Sequence, residues 1–201
     1  LKIKYVKLDK KVSIGEKRNI CVENASNDII VCMDDDDYYP PDSIKNRVTR
    51  LVTSGKDVVG CTTIAGFEIN RYISLISSTA LNDPYYMRVS EATLAFRKDY
   101  WIKNKFSDVS THESKDFISD NLGQFSEMSW EGVIVSLIHN NNSSVRHHPK
   151  KQAPNGCHFG WNQKLFEFIT TLDKGKKDEK EEKAQSMLRQ LQQQEQQQEQ
   201  Q

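Results

Sequence analysis

The feature that most limits what this 201-residue chain can fold into is an apolar run that stops on four aspartates. Ile29, Ile30, Val31, Cys32 and Met33 are continuous, without the alternation of a half-exposed strand, and predict a strand buried on both faces. Asp34, Asp35, Asp36 and Asp37 follow at once, then Tyr38, Tyr39, Pro40 and Pro41. Like charges a few ångströms apart oppose one another's ionisation, and a divalent cation, which takes oxygen ligands, removes that cost. In an extended segment Asp34 and Asp36 point to one side while Asp35 and Asp37 point to the other. The position suits a site, because open α/β sheets bind ligands beyond the carboxyl ends of their strands. Taken alone, a solvated acidic turn before Pro-Pro accounts for the run equally well. A calcium-binding helix–loop–helix is excluded, since Tyr39 would stand at the sixth loop position in place of Gly and Lys45 at the twelfth in place of Glu.

Upstream, Ser13-Ile14-Gly15-Glu16 has the spacing of a capping box and announces a helix whose apolar face is Ile14, Cys21, Val22 and Ala25. Its start carries Lys17, Arg18 and Asn19. A helix N-terminus offers free N–H groups and partial positive charge, and two cations there suit a bound anion such as phosphate. An ordinary capped helix with surface cations is the competing reading. A phosphate-binding Gly-rich loop of the G-x-x-x-x-G-K-[ST] type is absent. Together, a basic helix start and an acidic strand end match a nucleoside diphosphate with Mg²⁺ or Mn²⁺, the cation neutralising a diphosphate leaving group.

Along the chain, residues 1–8 alternate and predict a short strand. A second helix follows Pro41, with Ile44, Val48, Leu51 and Val52 on one face and Gly55 as its stop. Residues 57–62 read as the next strand, so the first third is strand–helix–strand–helix–strand, a parallel α/β unit. Beyond it the patterns predict a strand pair within 67–77, a strand over 89–96 leading into 98–104, and a short helix over 114–122. A strand over 133–139 and a helix over 165–172 complete the series. Residues 174–201 form a low-complexity tail, charged and then Gln-rich, expected to be disordered or partly helical. Residues 1–173 are expected to form one domain.

The chain has 28 basic and 28 acidic residues, and setting the tail aside leaves 22 of each. A neutral domain excludes nucleic-acid binding by bulk charge, which needs surplus Lys and Arg to displace counterions. No apolar run approaches the roughly 18 residues that span a bilayer. The start has no signal-peptide pattern and begins with Leu, which suggests a chain lacking an N-terminal piece. Cys21, Cys32, Cys61 and Cys157 show no paired spacing; Cys21 and Cys32 are expected as reduced core thiols, in a cytoplasmic compartment. The glycan-acceptor patterns at Asn24, Asn141 and Asn142 are then chance matches.

The stretch over 13–44 resembles the centre of the GT-A glycosyltransferases, above all family 2: a Gly, Arg-Asn at a helix start, an apolar strand, Asp-x-Asp-Asp, and a later Pro. Gly15, Arg18, Asn19, Asp34, Asp36, Asp37 and Pro41 stand at the matching positions. The resemblance implies Asp34 at the donor ribose or the metal and Asp36 as principal metal ligand. It extends more weakly to about residue 146. Glu91 to Arg97 resembles the family's small-residue strand on the acceptor side, and His112 to Phe117 its G-E-D-x-x-L segment, which carries the general base. Ser114 stands where the aspartate belongs, so the resemblance leaves Glu113 or Asp116 as the base. His139 to Arg146 resembles an H-x-x-N-[ST] end, implying His139 as a further metal ligand and Arg146 as a phosphate partner, with His147, His148 and His158 as alternatives to His139. Trp130 and Trp161 are read as core residues before sugar-stacking ones.

The implied fold is α/β and GT-A-like (Rossmann-like): a mostly parallel sheet flanked by helices, lacking the family's first strand–helix unit. The implied activity is metal-dependent, inverting transfer of a sugar from a UDP- or GDP-sugar to a hydroxyl of a glycan, protein or lipid. The fourfold Asp and Gln tail suit a viral homologue, which would work in host cytoplasm or a virion. The alternatives are a non-catalytic module of the same ancestry that binds a sugar nucleotide or a protein partner, and a structural protein with an acidic loop.

Overall fold

A computed structural model describes residues 2–69, 71–119, 122–139 and 155. The chain divides into two units, Leu1–Phe159 and Gly160–Gln201. The described residues belong to the first; the expected helix over 165–172, the tail, Arg146, His147, His148, His158, Cys157 and Trp161 lie outside them.

The elements in order are α1 (Ile14–Asn24), β1 (Ile29–Val31), α2 (Ser43–Ser54), β2 (Val58–Gly60), β3 (Thr63–Glu68), β4 (Ile73–Ser78), α3 (Tyr85–Arg88), β5 (Ala95–Arg97), α4 (Lys98–Lys103), α5 (Lys115–Ser119), β6 (Phe125–Glu127) and β7 (Val135–Ile138). One sheet has the order β1-β5-β2-β6 and a second the order β4-β3-β7. The α/β, GT-A-like class holds, with pairing more mixed than the parallel reading of the sequence. β5 runs antiparallel between β1 and β2, and β3 with β4 makes an antiparallel hairpin. β2–β6 and β3–β7 are parallel. The hairpin spans 63–78, so of the strand pair expected within 67–77 only the second strand falls where the sequence puts it; the first starts at Thr63.

Several expectations are corrected. Residues 2–8 form no strand, and Ile3, Tyr5, Val6 and Leu8 are exposed. β1 is half-buried because it lies at the edge of its sheet. The region 89–96 supplies only the start of β5, after a 3₁₀ turn at Glu91–Thr93. Cys21 is exposed, whereas Cys32 and Cys61 are buried. On α2, Ile44 and Val52 face solvent; the buried stripe is Ser43, Arg47 and Leu51, spaced four apart. Gly55 ends that helix as expected, with a left-handed φ of 65°.

The largest apolar cluster joins Val22, Leu94, Phe96, Tyr100, Trp101, Phe106, Phe117 and Ile118. Phe117 is its centre, stacked on Phe106 at 4.5 Å and edge-on to Phe96 at 5.0 Å and Tyr100 at 5.1 Å. Offset and edge-to-face aromatic pairs add to simple area burial, and here they fix α5 against β5 and α4. Trp130 is half-buried against the smaller cluster of Ala65, Phe67 and Val135.

Candidate active site

The start of α1 is closed. The Glu16 N–H bonds to the Ser13 hydroxyl at 3.0 Å, the Lys17 N–H to the Ser13 carbonyl at 3.1 Å, and the Gly15 N–H to the Val109 carbonyl at 3.0 Å. The Ser13 hydroxyl in turn donates to Asp108 at 2.6 Å. Gly15 is required because a Cβ there would lie 1.8 Å from the Ser107 carbonyl oxygen. Of the N–H groups expected to cradle phosphate, those of Gly15, Glu16 and Lys17 are thus taken up by the chain itself, and the segment around 107–109 packs over Gly15. Lys17 is exposed at this end. Asn19 turns inward: its Nδ2 donates to the Phe106 carbonyl, and its Oδ1 accepts from Trp101 Nε1 and the Phe106 N–H. In this structure it holds a loop in place of the expected anion contact.

Arg18 is the hub. Its Nε donates to Glu113 Oε1 at 2.9 Å, and its two terminal nitrogens engage both oxygens of Asp34 at 3.1 and 3.3 Å. Two residues assigned from sequence to opposite tasks, Asp34 and Glu113, are therefore held by one guanidinium, and bidentate geometry of this kind is strong. Glu113 arrives through a left-handed turn at His112, φ 55°, an uncommon conformation for a residue with a Cβ. Asp116 is exposed on the first turn of α5 and accepts the Ser107 hydroxyl at 2.7 Å.

The acidic run is a turn, so the alternation expected of an extended segment does not apply. Its four carboxylates part company. Asp34 faces Arg18, and its N–H donates to the Tyr39 hydroxyl at 2.7 Å. Asp35 is exposed. Asp37 accepts the Ser136 hydroxyl at 2.8 Å and the Leu137 N–H at 3.0 Å, and Tyr38 bridges to Val135, so this end of the turn is fastened to β7. That fastening brings His139, the residue after β7, to 3.7 Å from Asp36. Asp36 and His139 are thus brought together, while Asp34 is directed at Arg18. Among the described residues, no three His, Cys, Asp or Glu side chains are grouped to hold a metal.

Two residues escaped the reading of the sequence. Arg47 is wholly buried, with hydrogen bonds to the carbonyls of Cys32 at 2.6 Å and Ala92 at 3.3 Å, and it lies over the Tyr39 ring. It ties the end of β1 to the turn at Glu91–Thr93; burial lowers its pKa. Its place four residues before Leu51 was the available signal. Glu91 accepts the Ser114 hydroxyl at 2.8 Å. Burial and then the charge of Glu113 raise its pKa. Here the signal was Ser114, standing where a carboxylate was expected.

A strand-end acidic turn joined through Arg18 to a later carboxylate segment, in a mixed α/β chain, fits a GT-A-like fold. The sequence model of Glycosyl transferase family 2 matches residues 1–113, more than half of the chain, and the chain belongs to that family. Among solved structures it is similar to S. aureus TarS 1-349 in complex with UDP-GlcNAc, with 17% identity, 71% of this chain and 45% of that chain covered, and a TM-score of 0.50. It also matches S. aureus TarS 1-349 with 14% identity, 62% and 40% coverage and a TM-score of 0.42. The chain thus spans under half the length of those proteins. No curated protein matches it. Among the described residues, no helix is long and apolar enough to cross a membrane.

Proposed function

We propose that this chain transfers a sugar from a nucleoside-diphosphate donor to an acceptor hydroxyl, with inversion at the anomeric carbon and with Mn²⁺ or Mg²⁺ bound. The observation that carries the reading is the approach of Asp36 to His139, 3.7 Å apart, just past the carboxyl ends of β1 and β7. That is where open α/β sheets receive ligands. A carboxylate and an imidazole suit Mn²⁺, and a carboxylate suits Mg²⁺, which completes its shell with substrate phosphates and water. Asp36 and His139 would hold the ion, which when bound supplies charge neutralisation at the departing diphosphate. Arg18 holds Asp34, two residues before Asp36 in the same turn. TarS was crystallised with UDP-GlcNAc, which makes a UDP-sugar the first donor to try and a GDP-sugar the second.

Calorimetry with UDP, with and without Mn²⁺, tests this. Binding is expected only with the metal, and Asp36→Ala and His139→Ala should each abolish it. Tight binding without metal, or an unaffected Asp36→Ala variant, overturns the ligand assignment.

A further inference from the structure

We propose that Glu91 is the carboxylate that takes the proton of the acceptor hydroxyl. This rests on the transferase reading above and names the base that such a reaction needs. The base must reach the incoming hydroxyl. Glu113 is poorly placed to do so: its side chain is 6% exposed and one oxygen already accepts the Arg18 Nε–H. Asp116 is exposed, with its carboxylate turned to the Ser107 hydroxyl on the loop that covers α1.

Glu91 differs from both. It is partly exposed and opens the 3₁₀ turn at Glu91–Thr93. The next residue, Ala92, offers its carbonyl to the Tyr39 hydroxyl and to Arg47. Tyr39 receives the Asp34 N–H, so Glu91 sits one residue from the contact that anchors the acidic turn. On its other side the Ser114 hydroxyl donates to Oε1 at 2.8 Å, which orients the carboxylate and links it to the segment bearing Glu113. The charged groups acting on it are Glu113 and Arg18. Burial and Glu113 favour its protonated form, while the Ser114 hydroxyl, its own N–H and Arg18 oppose that. The balance lies upward, which suits a base that must hold a proton during turnover near neutrality.

In the step itself, the acceptor oxygen bonds to the anomeric carbon as that carbon's bond to the diphosphate oxygen breaks. The electron pair leaves with the nucleoside diphosphate. The acceptor proton passes to the Glu91 carboxylate, which afterwards returns it to water.

The test uses the whole chain with UDP-GlcNAc and Mn²⁺, comparing wild type, Glu91→Gln, Glu91→Asp and Glu113→Gln. Calorimetry reads binding, UDP release with water as the acceptor hydroxyl reads turnover, and carboxyl ¹³C NMR reads the Glu91 titration. Glu91→Gln should bind as the wild type does yet release UDP about 100-fold more slowly or worse, with Glu91→Asp keeping part of the rate. The Glu91 resonance should titrate above the ordinary glutamate range and move down in Glu113→Gln. A wild-type rate in Glu91→Gln overturns the proposal, as does a Glu91 titration in the ordinary range that Glu113→Gln leaves unmoved. Binding of UDP-GlcNAc by the wild type with no UDP release overturns the proposal as well. Failure of the wild type to bind UDP-GlcNAc and GDP-sugars alike sinks the transferase reading instead.

Discussion

Replacing Arg18 by Met keeps the apolar stem of the side chain, out to about the position of Nε, and removes the guanidinium. The loss can be worked from its two arms. Toward Glu113 the pair is sealed, with side-chain exposures of 13% and 6%. Removing one partner of a buried pair leaves the other charge uncompensated, at a cost of about 3–5 kcal/mol. The Asp34 side chain is 36% exposed, so solvent screens that arm, and it adds only ~0–1 kcal/mol. Arg18→Met should therefore lose about 3–5 kcal/mol, nearly all of it through Glu113. Urea unfolding followed by circular dichroism and tryptophan fluorescence measures the loss, provided the two probes give one transition. Two controls separate the arms. Asp34→Asn should cost no more than ~1 kcal/mol, and Arg18→Met with Glu113→Gln should recover most of the single variant's loss, because no buried charge remains. A loss below ~1 kcal/mol in Arg18→Met, or a double variant no more stable than the single, would refute the view that Arg18 is held chiefly by Glu113.

Gly15→Ala sets two effects against each other. Alanine favours a helix by about 1 kcal/mol over glycine, but its Cβ would stand 1.8 Å from the Ser107 carbonyl oxygen, and forcing such contacts apart costs about 1–3 kcal/mol or more. A lower melting temperature is expected, and an unchanged or raised one would show that the 107–109 segment does not pack on α1. Glu91 makes stability depend on pH. Its pKa is raised by folding, so its contribution is complete below the ordinary glutamate value of about 4.3 and is lost as pH rises through the folded value. Glutamine has no such loss. Urea midpoints should therefore shift in favour of Glu91→Gln between about pH 4 and pH 7, and an equal difference at both would contradict the raised pKa.

The elements whose signal is local were legible in the sequence. The capping box placed α1, Gly55 stopped α2, and the apolar run placed β1, because each depends on a few adjacent residues. Residues 2–8 show the limit: alternation at Ile3 and Tyr5 is compatible with a strand, but a strand also needs a neighbour, and no pattern within one segment supplies it. Pairing direction failed for the same reason, since β5 enters between β1 and β2 from much later in the chain. At the site, residue identities were legible and their partners were not. Arg18 was noted as a cation and Asp34 and Glu113 as acids, yet nothing in sequence spacing says that one guanidinium serves both. Reading Arg18 as a phosphate ligand followed from its place at a helix start, and its actual partners are set by tertiary packing.

The way α1 is fastened bears on when the domain can form. Few of its residues are buried; Gly15 and Val22 are the buried ones. An 11-residue helix is also shorter than the roughly 12–15 residues at which isolated helices become even marginal in water. Its fastenings come from far downstream: Ser13 to Asp108 and Arg18 to Glu113 each span 95 residues, Asn19 to Phe106 spans 87 and Asn19 to Trp101 spans 82. A ribosome adding about 5–20 residues per second needs roughly 5 to 20 s to cover such a span. Through that interval α1 lacks these downstream fastenings, although it is made before the residues that supply them; the nearer contact of Arg18 is with Asp34. At this site α1 is therefore completed late: Arg18 can meet Glu113 only after the residues of β1 to β5 have been made.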